Sequence, residues 1–148
     1  YTYDFGDTGN LTPLVKMHTL GSSFMPPSTH SGGLRYHGMA PMVSHLKEIG
    51  AIDAIAYGQK ECFEAGIKFA NVEGIVPAPE ATHAIKGVID AALECKKNGK
   101  SKTILFNLCG HGHFDMQAYG DYFDNKLEED VYNEAEVNKA LQSLPKIA

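Results

Sequence analysis

The sequence lacks the features that mark membrane proteins, nucleic-acid-binding proteins and disulfide-stapled domains. It has no apolar run long enough to cross a bilayer and no cluster of lysines and arginines. Its formal net charge is −5, and its three cysteines are odd in number and widely spaced. We therefore expect no membrane, no nucleic-acid partner and no disulfide framework. Because the odd number and wide spacing of the cysteines suggest a reducing compartment, and no signal peptide is recognisable, we expect a cytoplasmic location.

What the sequence does contain is the composition of a soluble globular protein. It has 148 residues, of which 43% are hydrophobic and 21% charged. A chain of this length buries roughly 70% of the surface that its unfolded form exposes, which is enough for a real core. We divide it by composition into three regions: a loop-rich segment at residues 1–50, an α/β core at 51–125 and an acidic helical tail at 126–148.

The first region is dense in glycine, proline and serine. Strands are predicted at residues 1–4 and 15–20, and Pro41 is placed to begin a short helix that Gly50 ends. A segment with so little regular structure buries too little apolar surface to be stable by itself. We expect it to pack normally against another part of a protein.

The second region alternates strand patterns with helix patterns. Strands are predicted at 52–57 and 103–108, and a short apolar link at 75–78. Helices are predicted at 59–71, stopped by Gly74, and from Glu80 to Asn98, with a surface helix at 134–144 in the tail. This order predicts a three-layer α/β domain with a parallel sheet, whose crossovers are right-handed.

A polar turn follows the predicted strand at 103–108, and it contains Cys109, Gly110, His111, Gly112 and His113. Glycines permit close approach to the backbone, and open α/β sheets bind ligands beyond the carboxyl ends of their strands. An ordinary strand-to-helix turn remains the alternative. A metal site on the two histidines lacks further ligands at a recognisable spacing. A nucleophilic role of Cys109 lacks a visible orienting group.

Glu80 follows Pro79 at the start of the long predicted helix. A carboxylate there complements the positive end of the helix dipole, which contributes a few tenths to about 1 kcal/mol. This structural role accounts for its position, so a functional role needs more than position.

Three motifs in this order resemble the carboxy-terminal part of the tryptophan synthase beta-chain family. They lie at residues 31–41 (Ser-Gly-Gly-Leu-Arg-Tyr-His-Gly-Met-Ala-Pro), 73–84 (Glu-Gly-Ile-Val-Pro-Ala-Pro-Glu-Ala-Thr-His-Ala) and 105–115 (Leu-Phe-Asn-Leu-Cys-Gly-His-Gly-His-Phe-Asp). The Gly-Leu-Arg-Tyr-His-Gly and Gly-His-Gly-His-Phe-Asp stretches are similar to the second subgroup of that family. Only the tail beyond about residue 124 lies outside the clear resemblance.

The resemblance implies a fold-type II enzyme that uses pyridoxal 5'-phosphate. Such an enzyme replaces the hydroxyl of L-serine, or the leaving group of a serine derivative, with indole to give L-tryptophan. It also implies a homodimer for the full-length enzyme, and it leaves open whether an α-subunit is engaged.

The resemblance also assigns roles to residues. Glu80 matches the family's catalytic glutamate beside the cofactor, which assists proton movements. Cys109 stands where the family has the serine that bonds the pyridine nitrogen, and Gly110 and His111 continue that cofactor turn. A cysteine offers this nitrogen a weaker and longer hydrogen bond than a serine does.

Three further positions are assigned nearer the substrate. Arg35 stands where the common beta chain has an aspartate that contacts the substrate's β-substituent. This reversal of charge favours an anionic donor such as phosphoserine. Tyr36 and Gly38 lie where backbone carbonyls of the common chain bind a monovalent cation.

Two parts of the family pattern have no match in this sequence. There is no Gly-Gly-Gly-Ser-Asn-like turn for the cofactor phosphate, and no lysine stands in a recognisable Schiff-base context. We therefore expect a carboxy-terminal piece that is catalytically inactive by itself. The alternative is an independent α/β module that binds a small anion or a partner chain at the Cys109 turn.

Overall fold

The computed structural model describes residues 1–129 and 133–146, and its backbone contacts divide the chain into two compact units. The small-sheet unit contains residues 1–28, 35–54 and the carboxy-terminal segment. The helical unit contains residues 29–34 and the chain from residue 55 to the gap. The predicted acidic tail at 126–148 therefore lies partly outside the described residues.

The described elements are two short strands, a 3₁₀ turn and five helices. They are β1 (Thr2–Asp4), β2 (Val15–Met17), the 3₁₀ turn Gly32–Leu34, α1 (Pro41–Glu48), α2 (Gln59–Glu73), α3 (Pro79–Lys97), α4 (Met116–Phe123) and α5 (Glu134–Leu141).

In the small-sheet unit, β1 and β2 pair in antiparallel register, with Tyr3 opposite Lys16. The buried carboxylate of Asp4 accepts a hydrogen bond of 2.7 Å from the hydroxyl of Thr19. The fully buried hydroxyl of Ser44, on α1, accepts one of 3.0 Å from the main-chain N–H of His18. Buried polar groups are paired in this way because an unpaired one costs free energy.

The helical unit is built on the packing of α2 against α3. Its core consists of Phe63, Ala118, Tyr119 and Leu127, with three half-buried side chains packed at its edge: Ile67, Val76 and Tyr122. The rings of Phe63 and Tyr119 meet edge to face, with centroids 5.0 Å apart. This geometry is favourable for aromatic pairs.

Most predicted helix ends are confirmed, because the signals that set them are local. Pro41 begins α1, and Gly50, Gly74 and Gly99 have φ angles of +72°, +71° and +61° just beyond α1, α2 and α3. Glycine adopts this left-handed conformation without the strain that a Cβ introduces. The prediction for α3 was one residue late, since the helix begins at Pro79. No element was predicted at α4.

The predicted strands at 52–57 and 103–108 are wrong for this structure, and the predicted three-layer parallel sheet is not confirmed. Within the described residues, the only sheet is the antiparallel pair β1–β2. A strand needs a neighbour to pair its N–H and C=O groups, whatever its own side chains favour. The run at 103–108 has no such neighbour here, and the side chain of Leu105 is 95% exposed.

β2 is also shorter than the predicted strand at 15–20. The main-chain N–H of Leu20 donates to the carbonyl of His37 at 2.7 Å, and Thr19 forms an isolated bridge with Gly38. Thr19 and Leu20 therefore pair with the loop before α1 and not with β1. Among the described residues, no helix has the length and apolarity needed to cross a membrane.

Candidate functional site

The turn at 109–112 is hydrogen-bonded to the segment that leads into α3. The N–H of Ala78 donates to the carbonyl of Gly110 at 2.9 Å, and the N–H of Gly112 donates to the carbonyl of Val76 at 2.7 Å. Pro77 and His111 stand opposite each other between these bonds as an antiparallel bridge. The turn predicted as a ligand site is thus fixed to the start of the helix that carries Glu80.

Both glycines of this turn are required for its close approach to the segment before α3. A Cβ on Gly112 would lie 2.5 Å from the carbonyl oxygen of Pro77, and a Cβ on Gly110 would lie 3.0 Å from the Cβ of Ala78. The close approach predicted for these glycines is therefore a contact between two segments of this chain, the turn and the residues before α3.

Tyr119 fixes the same segment from the core side. Its hydroxyl donates a 2.6 Å hydrogen bond to the carbonyl of Pro77. Burial raises the pKa of Tyr119 to about 12, because the phenolate would lose its solvation there. The hydroxyl therefore stays protonated, as a donor, across the physiological pH range.

Glu80 is the second residue of α3, and its side chain is held by a second segment. Its carboxylate oxygen Oε1 accepts a 2.8 Å hydrogen bond from the main-chain N–H of Gly33, in the 3₁₀ turn. On the buried face of the same helical turn, the hydroxyl of Thr82 donates to the carbonyl of Pro79 at 2.6 Å. Interaction with the helix dipole is therefore not the only contact that orients Glu80.

The outer edge of the turn is exposed. Cys109 is a free, exposed thiol, and the side chain of His111 is exposed beside it. The N–H of His113 donates to Nδ1 of His111 at 3.2 Å, and their ring centroids are 4.4 Å apart. The alternative of a metal site gains no support, because no group of three possible ligands occurs in the part of the chain that the structure describes.

Arg35, Tyr36 and Gly38 belong to the small-sheet unit. The guanidinium of Arg35 donates to the carbonyl of Pro26 at 3.3 Å, and the side chain of Tyr36 is exposed. Gly38 forms the bridge with Thr19. Of the residues singled out from the sequence, the structure therefore brings together Glu80 and the turn of Cys109, Gly110 and His111.

Sequence reasoning missed two residues of this site, Gly33 and Tyr119. Gly33 lies in the first of the three motifs, so its hydrogen bond to Glu80 joins two of them. The position of Gly33 within a motif was the available sequence signal for its role. No spacing in the sequence points to the bond between Tyr119 and Pro77.

No family model matches the chain, but curated relatives match most of it. It is 59% identical over 128 residues to tryptophan synthase beta chain 2 of Methanosarcina mazei, covering 86% of this chain and 29% of that protein. The protein of the same name from Aquifex aeolicus is 59% identical over 129 residues, which are 87% of this chain and 30% of that protein. The one from Pyrococcus abyssi is 57% identical over 129 residues, with shares of 87% and 29%.

The predicted resemblance is thereby confirmed: the chain is a carboxy-terminal fragment of a tryptophan synthase beta-like protein. All three of these relatives carry the name beta chain 2, which agrees with the subgroup indicated by the motifs. The chain spans less than a third of the length of each.

Proposed function

We propose that this chain supplies one side of the active site of a pyridoxal-phosphate-dependent enzyme that makes L-tryptophan from indole and L-serine or a serine derivative. The observation that carries the proposal is the bonded junction between the Cys109 turn and the start of α3. It places two motifs of a tryptophan synthase beta-like sequence against each other, although they are about thirty residues apart.

The residues of this junction fit one end of the cofactor. The backbone of the turn is fixed on both sides of Pro77 and His111, while the thiol of Cys109 remains exposed at its edge. A thiol in that position donates a weak hydrogen bond to a neutral pyridine nitrogen. Gly110 and His111 continue the turn beside it. When bound, pyridoxal phosphate supplies the electron sink for loss of the leaving group from the β-carbon.

Glu80 is the group in this chain that holds or moves a proton. With Oε1 bonded to the N–H of Gly33, its second oxygen, Oε2, remains available to exchange a proton with bound substrate. A carboxylate fixed at one oxygen presents the other in a defined position, which general acid–base catalysis requires.

We further propose that the Schiff-base lysine and the phosphate-binding loop lie outside this chain. Lys86, on α3, is a lysine of this chain that is poorly suited to form the Schiff base. Its ammonium group lies 2.6 Å from the carboxylate of Asp90 and 3.6 Å from that of Glu61. The hydrogen bond to Asp90 raises the pKa of Lys86, so the amine stays protonated and is not nucleophilic. We therefore expect the chain alone to be inactive.

In the complete protein, we propose that residues 103–108 form a strand of a three-layer parallel sheet. Alternate side chains of this run already differ in exposure: Phe106 packs edge to face on Phe69 of α2, with centroids 6.1 Å apart, while Leu105 is exposed. An extended run that is apolar on both faces suits a strand covered on both sides. A homodimer, and a monovalent cation held by the carbonyls of Tyr36 and Gly38, belong to the same proposal.

A chimera tests the proposed function. The matching segment of the Methanosarcina mazei protein is replaced by this chain, and tryptophan formation from L-serine and indole is measured with pyridoxal phosphate present. We expect the chimera to be active, and we expect Glu80→Gln to reduce its kcat about 10²-fold or more because an amide transfers no proton. A chimera that shows the circular dichroism spectrum of the parent and forms no tryptophan would contradict the proposal.

The identity of the amino-acid donor is a separate proposal, which rests on Arg35. A guanidinium beside the leaving group favours an anionic substituent, so we expect O-phosphoserine to be used at a higher kcat/KM than L-serine. In the chimera, Arg35→Asp should reverse this preference. A clear preference of the unsubstituted chimera for L-serine would refute it.

A further inference from the structure

We propose that Gly33 is a positioning residue for Glu80, which fixes one carboxylate oxygen through its main-chain N–H and so orients the other toward substrate. This inference rests on the proposed function, and it adds a residue from the first motif to the machinery at the start of α3. The role belongs to the backbone of Gly33 and to the absence of its side chain.

The side chain of Glu80 is held by a segment outside its own helix. At the second position of α3, a carboxylate is close to the unpaired N–H groups of its own helix and commonly accepts hydrogen bonds from them. Oε1 of Glu80 instead accepts from Gly33, which is 47 positions away in the chain, at 2.8 Å. A long-range contact of this kind fixes the side chain relative to a second backbone segment.

The segment that carries Gly33 is anchored independently of Glu80. The N–H of His30 donates to the side-chain carbonyl of Gln59, the first residue of α2, at 3.4 Å. The His30 ring meets that of Phe63 edge to face, with centroids 6.4 Å apart. Ser31 is buried, and its carbonyl accepts from the N–H of Leu34 at 2.9 Å, which closes the 3₁₀ turn. The turn is therefore a support that holds Glu80.

A side chain at position 33 would crowd the carboxylate of Glu80. A Cβ on Gly33 would lie 3.1 Å from Oε1 and 3.2 Å from Cγ of Glu80, so the carboxylate would have to shift by a few tenths of an ångström. A Cβ on the neighbouring Gly32 would meet nothing within 4 Å. These two adjacent glycines form a matched pair, since an alanine disturbs Glu80 at one position only.

Nuclear magnetic resonance tests the contact in this chain without any cofactor. We expect the amide proton resonance of Gly33 to move when the pH is lowered, and this movement to be lost in Glu80→Gln. Gly32→Ala should keep the movement, whereas Gly33→Ala should reduce it. His83, a second ionisable group, lies on the same helical turn, with its ring nitrogen 3.1 Å from the carbonyl of Pro79. A movement that persists in Glu80→Gln arises from another group and would overturn the inference.

The chimera tests the consequence for catalysis. We expect Gly33→Ala to lower kcat about tenfold with little change in KM for the amino acid, because misplacement affects the proton-transfer step more than binding. Gly32→Ala should leave both values unchanged. Equal activities of the two variants would overturn the positioning role while leaving the proposed function intact. An inactive unsubstituted chimera would overturn the proposed function, and the resonance measurement would still report on the contact itself.

Discussion

The three cysteines of the chain differ in their surroundings, and this difference predicts their reactivity. Cys109 is exposed, Cys95 is half-buried, and Cys62 on α2 is 1% exposed. Burial, and after it the nearby carboxylate of Glu61, raise the pKa of the Cys62 thiol to about 12, so almost no thiolate forms at pH 8.

We therefore expect iodoacetamide at pH 8 to alkylate Cys109 readily and to leave Cys62 unmodified in the folded chain. Mass spectrometry of the peptides measures both rates. Cys109→Ser removes the fast reaction and serves as the control. Modification of Cys62 at a rate comparable to that of Cys109 would show that the α2 core opens readily.

Gly112 is the residue at which the junction tolerates a side chain least. An added Cβ would lie 2.5 Å from the Pro77 carbonyl oxygen and 2.9 Å from Cγ1 of Val76. We expect Gly112→Ala to lower the free energy of unfolding in urea by about 1–3 kcal/mol. Gly120, inside α4, has open space around it. Gly120→Ala should raise the free energy of unfolding by up to about 1 kcal/mol. An unchanged stability of Gly112→Ala would mean that the junction is looser than described.

At the scale of single residues, the sequence predicted the turn at Cys109 from a local signal, two glycines after an apolar run, and marked Glu80 as a candidate through the resemblance of its motif. It did not predict Gly33 or Tyr119. Their hydrogen bonds reach partners 47 and 42 positions away in the chain. Neither a hydrophobic periodicity nor a capping residue indicates a contact over such a separation. These contacts depend on how the helices pack.

At the scale of elements, helices were predicted better than strands. The ends of α1, α2 and α3 are set by prolines and glycines within the same few residues, so the chain itself contains the information. The runs at 52–57 and 103–108 have the composition of strands, but pairing depends on a neighbour. In the described residues each run lacks one, and Leu105 and Ile55 are largely exposed.

One ionic group fastens the segment before α2 to α3. The ammonium of Lys86 bonds both carboxylate oxygens of Asp90, at 2.7 and 2.6 Å, and lies 4.9 Å from the centroid of the Tyr57 ring. The pKa of Asp90 is lowered from its usual 3.8, first by the hydrogen bond from Lys86 and also by one from Tyr57. The folded state therefore favours the charged form of Asp90.

This lowered pKa determines how stability depends on pH. The contribution of Asp90 is fully present above its unfolded pKa of 3.8, and it is lost as the pH falls through the lower folded value. We expect Asp90→Asn to be less stable than the wild type at pH 7, by an amount that salt reduces and that shrinks below pH 3.8. Thermal unfolding between pH 2.5 and 7 measures this. Asp124→Asn, in a more exposed pair with Lys126, is the control with little effect. A difference that stays constant into acid would contradict the assignment.

At the scale of the whole molecule, the chain is a fragment of a tryptophan synthase beta-like protein, and it spans less than a third of the length of its relatives. Leu105 is 95% exposed and the thiol of Cys109 is exposed, so both side chains are accessible to further protein. The motifs predicted this relationship from the sequence. The predicted three-layer parallel sheet is not confirmed, because a strand needs a pairing neighbour and the runs at 52–57 and 103–108 have none within the described residues.

We propose that this chain holds one side of a cofactor site and needs further protein to complete it. An absorbance spectrum recorded after mixing with pyridoxal phosphate and exhaustive dialysis tests this directly. We predict that the chain alone retains no cofactor band, whereas the chimera with the Methanosarcina mazei protein retains one that responds to L-serine. A retained, serine-responsive band in the chain alone would show that its own lysines complete the site. A chimera without a band would show that the Cys109 turn and Glu80 do not form a cofactor site.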